Sequence, residues 1–184
     1  GQNSLVFNQS SFANWYAGGN NNIGVIGKVN YNIVYKKNRH YLDNNIQLGY
    51  GFVSSTGQST RKTDDYINLM TNYGYELAQH YYLSTGFQFL SQFTAGYNYS
   101  NTPDPVFNDR ISKFMAPGYL NLGIGLSYNP NENLQIILRP INGKFTFVLD
   151  KKLQFAGNYG LEKDGQSLRA EVGTMLNILY KIKL

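Results

Sequence analysis

Two histidines, a short acidic loop and six charged residues embedded in alternating apolar stretches are where this sequence could do chemistry. His40 and His80 each stand in a short polar turn, just before Tyr41-Leu42 and Tyr81-Tyr82-Leu83. A histidine that activates a serine needs the nucleophile within hydrogen-bond reach and a third group to orient its ring. A hairpin turn is badly placed to supply both, so both histidines are expected to be structural. Asp104, Asn108 and Asp109 carry oxygen ligands suited to calcium, but without the spacing of a regular calcium loop, and a solvated loop is expected. The chain has no Cys, which excludes disulfides, thiolate metal sites and cysteine nucleophiles. It also lacks a phosphate-cradling glycine loop, a His-Glu metal helix and a dinucleotide fingerprint. Neither catalytic residues nor a cofactor or metal is expected.

The six charged residues are Lys28, Asp43, Glu76, Arg139, Arg169 and Glu171. Each falls on the polar side of a period-two pattern, so each is expected to face the interior if the strands close into a barrel. Interior charges either pair and fill a narrow barrel or line a water-filled path and contact what passes. Arg169 and Glu171 lie two apart on one strand and share a face, and Arg139 on the preceding strand is expected to join them.

Strands must position these groups. From Ile23 to Tyr35 every odd residue is apolar or Gly, and Lys28, Asn30, Asn32 and Lys36 occupy even positions, which predicts a strand over 23–36 with one greasy and one wet face. That is longer than the ~5–6 residues usual in a soluble sheet and long enough for the ~9–11 residues of a tilted membrane crossing. Lys37-Asn38-Arg39-His40 turns the chain into a strand over 41–53. If Tyr31 pairs with Ile46, then Val29 meets Leu48 and Gly27 meets Tyr50, with apolar faces in phase.

A polar loop is expected over 54–65, strands over 66–77 and 81–93 with Leu77 opposite Tyr81, and a long loop over 94–113. A fifth strand carries Leu120 to Tyr128, and Asn129-Pro130-Asn131-Glu132-Asn133 turns into a sixth. There Pro140 and Asn142-Gly143 shift the phase by one, the signature of a bulge. After a third long loop over 150–166, a last strand runs from Leu168 to Leu184. Residues 1–22 hold a weak strand signal near 3–9, then Phe12, Trp15, Tyr16 and a Gly/Asn turn. They read as a first strand or as a segment folded into the interior as a plug.

The short turns fall on one end and the long loops on the other, and tyrosines crowd the short-turn end. Outer-membrane barrels have this asymmetry and such aromatic girdles. Charged residues are 15% of the chain, below the ~25% of an average soluble domain, and no stretch is long enough for a transmembrane helix. The +5 charge is scattered and not set in a stripe, so no nucleic-acid partner is expected. The expected fold is all-β, an antiparallel up-and-down transmembrane β-barrel with about eight strands in one domain over 1–184. The expected setting is a bacterial outer membrane, with the signal peptide already removed, lipid as a partner and other outer-membrane proteins as further ones. The expected role is a non-enzymatic channel, scaffold or complex subunit. The alternatives are a soluble small-ligand-binding barrel, whose apolar face would line a core, and an outer-membrane lipid-modifying enzyme.

Short motifs carry a family likeness along the chain. Phe7-Asn8-Gln9-Ser10-Ser11-Phe12-Ala13-Asn14-Trp15 with Ala17-Gly18-Gly19-Asn20 comes first, then Leu48-Gly49-Tyr50-Gly51, Arg61-Lys62-Thr63-Asp64-Asp65 and Tyr73-Gly74-Tyr75. Phe114-Met115-Ala116-Pro117, Ala156-Gly157 and Leu168-Arg169-Ala170-Glu171 continue it. In these motifs the sequence resembles a Bacteroidota outer-membrane β-barrel family of unknown function. The resemblance implies no biochemical activity. It does imply further strands beyond Leu184 and a barrel of about twelve. Eight strands alone or part of a larger barrel are both open at this stage.

Overall fold

Strict alternation of apolar with small or amide residues, broken only where Asn, Gly and charged residues cluster, produces one long meander. The structure, a computed structural model, describes residues 1–12, 20–100 and 104–182. Of the sequence features above, Ala13 to Gly19 with Trp15 and Tyr16, residues 101–103 of the long loop, and the terminal Lys183 and Leu184 lie outside the described residues.

Eight strands form one antiparallel sheet: β1 (Gln2–Ser10), β2 (Asn22–Lys37), β3 (His40–Ser55), β4 (Arg61–Ala78), β5 (Tyr81–Ser91), β8 (Gly118–Asn131), β9 (Leu134–Phe147) and β10 (Leu168–Tyr180). Neighbours in sequence are neighbours in the sheet, save that the short hairpin β6 (Gly96–Tyr97) and β7 (Arg110–Ser112) is inserted between β5 and β8. The β2–β3 register is the expected one, with Tyr31 opposite Ile46, Val29 opposite Leu48 and Gly27 opposite Tyr50. The weak signal near 3–9 is a full strand, paired with β2 from Gln2–Asn30 to Ser10–Asn22.

Several expectations are corrected. The polar loop shrinks, because β3 runs to Ser55 and β4 starts at Arg61. Charge pairing keeps this polar stretch in the ladder: Lys28 reaches Asp64 at 3.6 Å and Lys62 reaches Asp65 at 2.7 Å. β5 ends at Ser91, two residues earlier than expected, and Asp65 then receives the Phe93 and Thr94 N–H groups at 2.7 and 2.9 Å. Tyr81 faces Ala78 and not Leu77; the irregularity at Leu77 restores the phase, so that Tyr75 still meets Leu83. The bulge expected near Pro140 is there: register shifts fall between Ile124 and Leu126 on β8 and between Gly173 and Met175 on β10, both facing the Pro140 stretch.

The two faces differ in kind. On β5, β8 and β9 the side chains Leu83, Phe87, Leu122, Ile124, Leu126 and Leu138 are exposed, while Ser84, Gly86, Gly123, Ser127 and Arg139 between them are buried. The apolar face is therefore convex and bare, and the small and polar face is concave. The sheet does not close among the described residues: β1 pairs only with β2 and β10 only with β9. A closed eight-stranded barrel is thus not what these strands form, since a period of two identifies the greasy face but not whether the end strands meet.

Among the described residues the one apolar cluster of fully buried side chains sits in the loops. Ala116, Val148 and Leu153 pack together with Tyr159 and Leu161 against them. Asp150 caps the short helix α1 (Lys151–Gln154), accepting the Leu153 N–H at 3.3 Å, and pairs with Arg110 at 2.5 Å. The Tyr159 hydroxyl donates to the Ile111 carbonyl. Burial raises the Tyr159 phenol above its ordinary value of 10.0, with the neighbouring Tyr119 adding to it. A raised folded value means this contact's stability is fully present below about pH 10 and is lost as pH rises through the folded value. Hydrogen-exchange protection across 148–166, taken relative to the free-peptide rate at each pH, is therefore expected to fall above about pH 10 in the natural chain, and Tyr159→Phe should remove that fall.

Candidate functional site

The concave face gathers its polar groups because alternate positions on adjacent strands come into line. Lys28, Asp43, Glu76, Arg139, Arg169 and Glu171 all fall on this face by register. They do not form one site. Lys28 pairs with Asp64 toward the loop end. Asp43 accepts from Asn32 Nδ2 at 3.0 Å. Glu76 sits near the turn end, opposite Tyr82.

Arg169 and Glu171 pair at 3.0 Å, and Lys144 Nζ approaches Glu171 at 3.8 Å from β9. Arg169 also donates to the Gly160 carbonyl at 2.6 Å, tying the loop over 148–167 to β10. Arg139 was expected in this group and is not. Glu171 stands opposite Lys144, whereas Arg139 stands opposite Met175, beyond the bulge at Gly173. Lys144 takes the place assigned to it; the signal was Lys144's position in a strand whose phase had already been reset at Pro140.

Arg139 instead lies along the sheet. Its Nη2 donates to Asn72 Oδ1 on β4 at 2.7 Å, and its Nη1 lies 3.9 Å from Met175 Sδ on β10. Between β9 and β4 lie β8 and β5, a separation of roughly 14 Å across three strand spacings in a flat sheet. Gly123 and Gly86 clear the path: a Cβ on Gly123 would stand 2.7 Å from Arg139 Cδ, and one on Gly86 would overlap the guanidinium. A cavity of about 500 Å³ opens over this track, lined by residues of β4, β5, β8, β9 and β10. Amides dominate its polar lining, with Gln88, Asn121, Asn142 and Asn177 prominent. A single surface shared by five strands requires that the sheet curl toward its polar side.

The histidines sit at the turn end. His40 Nδ1 is 2.7 Å from the Tyr73 hydroxyl, with its ring edge-on to Tyr75, and His80 Nδ1 is 3.1 Å from the Asn129 carbonyl. Tyr81 stacks on Tyr128 at the same end, ring centroids 4.6 Å apart. In the loop hairpin Asp109 turns its carboxylate onto the Val106 N–H at 2.9 Å.

Residues 7–97 match the model of a family described as a protein of unknown function (DUF3078). That stretch runs from the middle of β1 to the short strand β6 and includes the Asn72 end of the Arg139 track, but not Arg139 itself. No curated protein matches the chain. No solved structure matches it.

Proposed function

We propose that this chain builds the wall of a bacterial outer-membrane β-barrel, of the Bacteroidota type its motifs resemble, and acts as a non-enzymatic channel, scaffold or complex subunit. The observation that carries this reading is the inverted distribution of side chains. A soluble sheet of this size would turn Leu122, Ile124, Leu126, Leu138, Leu176 and Ile178 into a core, yet all six are more than 40% exposed while Ser84, Ser127 and Arg139 are buried. A lipid phase satisfies such a surface and water does not. Tyr81, Tyr128 and Tyr75 near the turn end suit the headgroup level, and the long loops all leave from the opposite end.

In lipid every backbone N–H and C=O needs a partner, and a bare strand edge would cost several kcal/mol per orphaned group. The outer edges of β1 and β10 are therefore to be joined by further strands, completing a barrel larger than eight. Lipid is the partner of the convex face, and other outer-membrane proteins are the partners that would suit the loop cap. His40 and His80 are engaged at the turn end and neither is among the residues lining the Arg139 cavity, which supports a role without catalysis.

The test is extraction of the native membrane in mild detergent and electrophoresis in SDS with and without boiling. A heat-dependent shift is expected, as is conductance when the purified protein meets a planar bilayer. A protein that stays in the aqueous fraction and shows no shift would overturn the membrane reading in favour of a soluble ligand-binding barrel. A shift without conductance would leave the scaffold.

A further inference from the structure

We propose that Arg139 is the anchor of a small-oxyanion site, one that takes a carboxylate or phosphate group into the cavity of the concave face. The inference rests on the polar interior that the barrel reading assumes, but on neither membrane insertion nor conduction.

Arg139 is 7% exposed and forms no ion pair among the described residues. It is the one charged residue among those lining the cavity. Of the carboxylates on its own face, Asp43 pairs with Asn32, Asp64 with Lys28 and Glu171 with Arg169, while Glu76 stands near the turn end opposite Tyr82 and is not among the residues lining the cavity. Its protein partners are one amide oxygen and one thioether, the latter a weak acceptor. Its Nε is buried with no acceptor. A buried guanidinium without a counter-charge is costly, and apolar or amide residues of similar volume would avoid that cost.

The surroundings are built to hold the group in place. Gly86 and Gly123 let the guanidinium lie flat, and Asn72 fixes its far end. A planar fork of N–H donors matches an oxyanion with two parallel hydrogen bonds. Gln88, Asn121, Asn142 and Asn177 carry side-chain NH2 groups on the same cavity wall for the remaining oxygens. At about 500 Å³ the cavity exceeds a bare phosphate or acetate, so it has room for the molecule that bears the anionic group.

Equilibrium dialysis of the full chain in mild detergent, against labelled inorganic phosphate and separately labelled acetate, tests this with chloride holding the ionic strength constant. Retention of at least one of the two ions is expected. Arg139→Gln should weaken it about tenfold or more, the loss of a charge-assisted hydrogen-bonded pair. Lys163→Gln, the same charge change in a loop, should not. Retention of phosphate alone or acetate alone identifies the oxyanion; retention of neither, or equal retention by Arg139→Gln, overturns the proposal. Phenylglyoxal labelling of the unsubstituted chain gives a second reading that needs no variant to fold. Bound oxyanion should slow modification of Arg139 but not of Arg39 in the turn, and an unchanged rate at Arg139 would also overturn it. Failure of the barrel reading appears on the SDS gel, not in these measurements.

Discussion

Gly125→Ala is expected to cost roughly 3 kcal/mol and to remove most of the folded, heat-shifting species, whereas Gly173→Ala leaves it intact. The two glycines border the same irregularity of β9 from its two sides, Gly125 on β8 and Gly173 on β10. A Cβ on Gly125 would overlap the Leu138 carbonyl oxygen and stand 2.6 Å from Arg139 Cα, all backbone that cannot rotate away. Around Gly173 nothing lies within 4 Å. At Gly125 β9 must move off β8, and the ladder hydrogen bonds and the start of the Arg139 track go with it. Refolding yield into detergent, read as the unheated compact band, measures both variants. Equal yields would mean that β8 and β9 do not approach so closely at the bulge.

That bulge was legible in the sequence, because Pro140 has no N–H to give to a ladder and the apolar phase changes beside it. The β2–β3 register was legible for a related reason: a one-residue slip would put Tyr31 and Val29 on the face opposite to Ile46 and Leu48. What the pattern could not carry was anything decided across non-adjacent strands. Arg139 was grouped with Arg169 and Glu171 because its strand is next to theirs. The shifts at Pro140 and Gly173 move it along β10 to Met175, and glycines on two further strands let it reach Asn72. The apparent polar loop over 54–65 shortened for the same reason. Lys28 and Asp64, distant in sequence, draw Arg61 to Asp65 into β4. Nor does local composition register the apolar cap, since Ala116, Val148 and Leu153 come from segments separated in sequence and only their packing across the loops brings them together.

Asp150→Ala should open that cap while leaving the sheet closed to denaturant. Asp150 holds Arg110 at 2.5 Å with only 4% of its side chain exposed, and it also caps α1. Removing it strands a guanidinium whose Nε already lacks an acceptor, and breaking such a pair costs about 3–5 kcal/mol. The loss is local, because the strands keep their own ladders. Replacing both partners with apolar residues of like volume, Arg110→Met with Asp150→Leu, should recover much of it. Lys151, Lys152 and Lys163 then serve as reporters: Lys152 donates to the Asn108 and Arg110 carbonyls at 2.5 and 2.6 Å, so trypsin should cut the natural loop slowly and the Asp150→Ala loop at least tenfold faster. Trypsin added to intact cells extends the measurement to sidedness. If the long loops face outward, as barrels with short periplasmic turns require, the Asp150→Ala chain is cut in whole cells. If it is cut only after lysis, the loop cap faces inward or the chain is not in the outer membrane, and the heat-shift gel distinguishes these two.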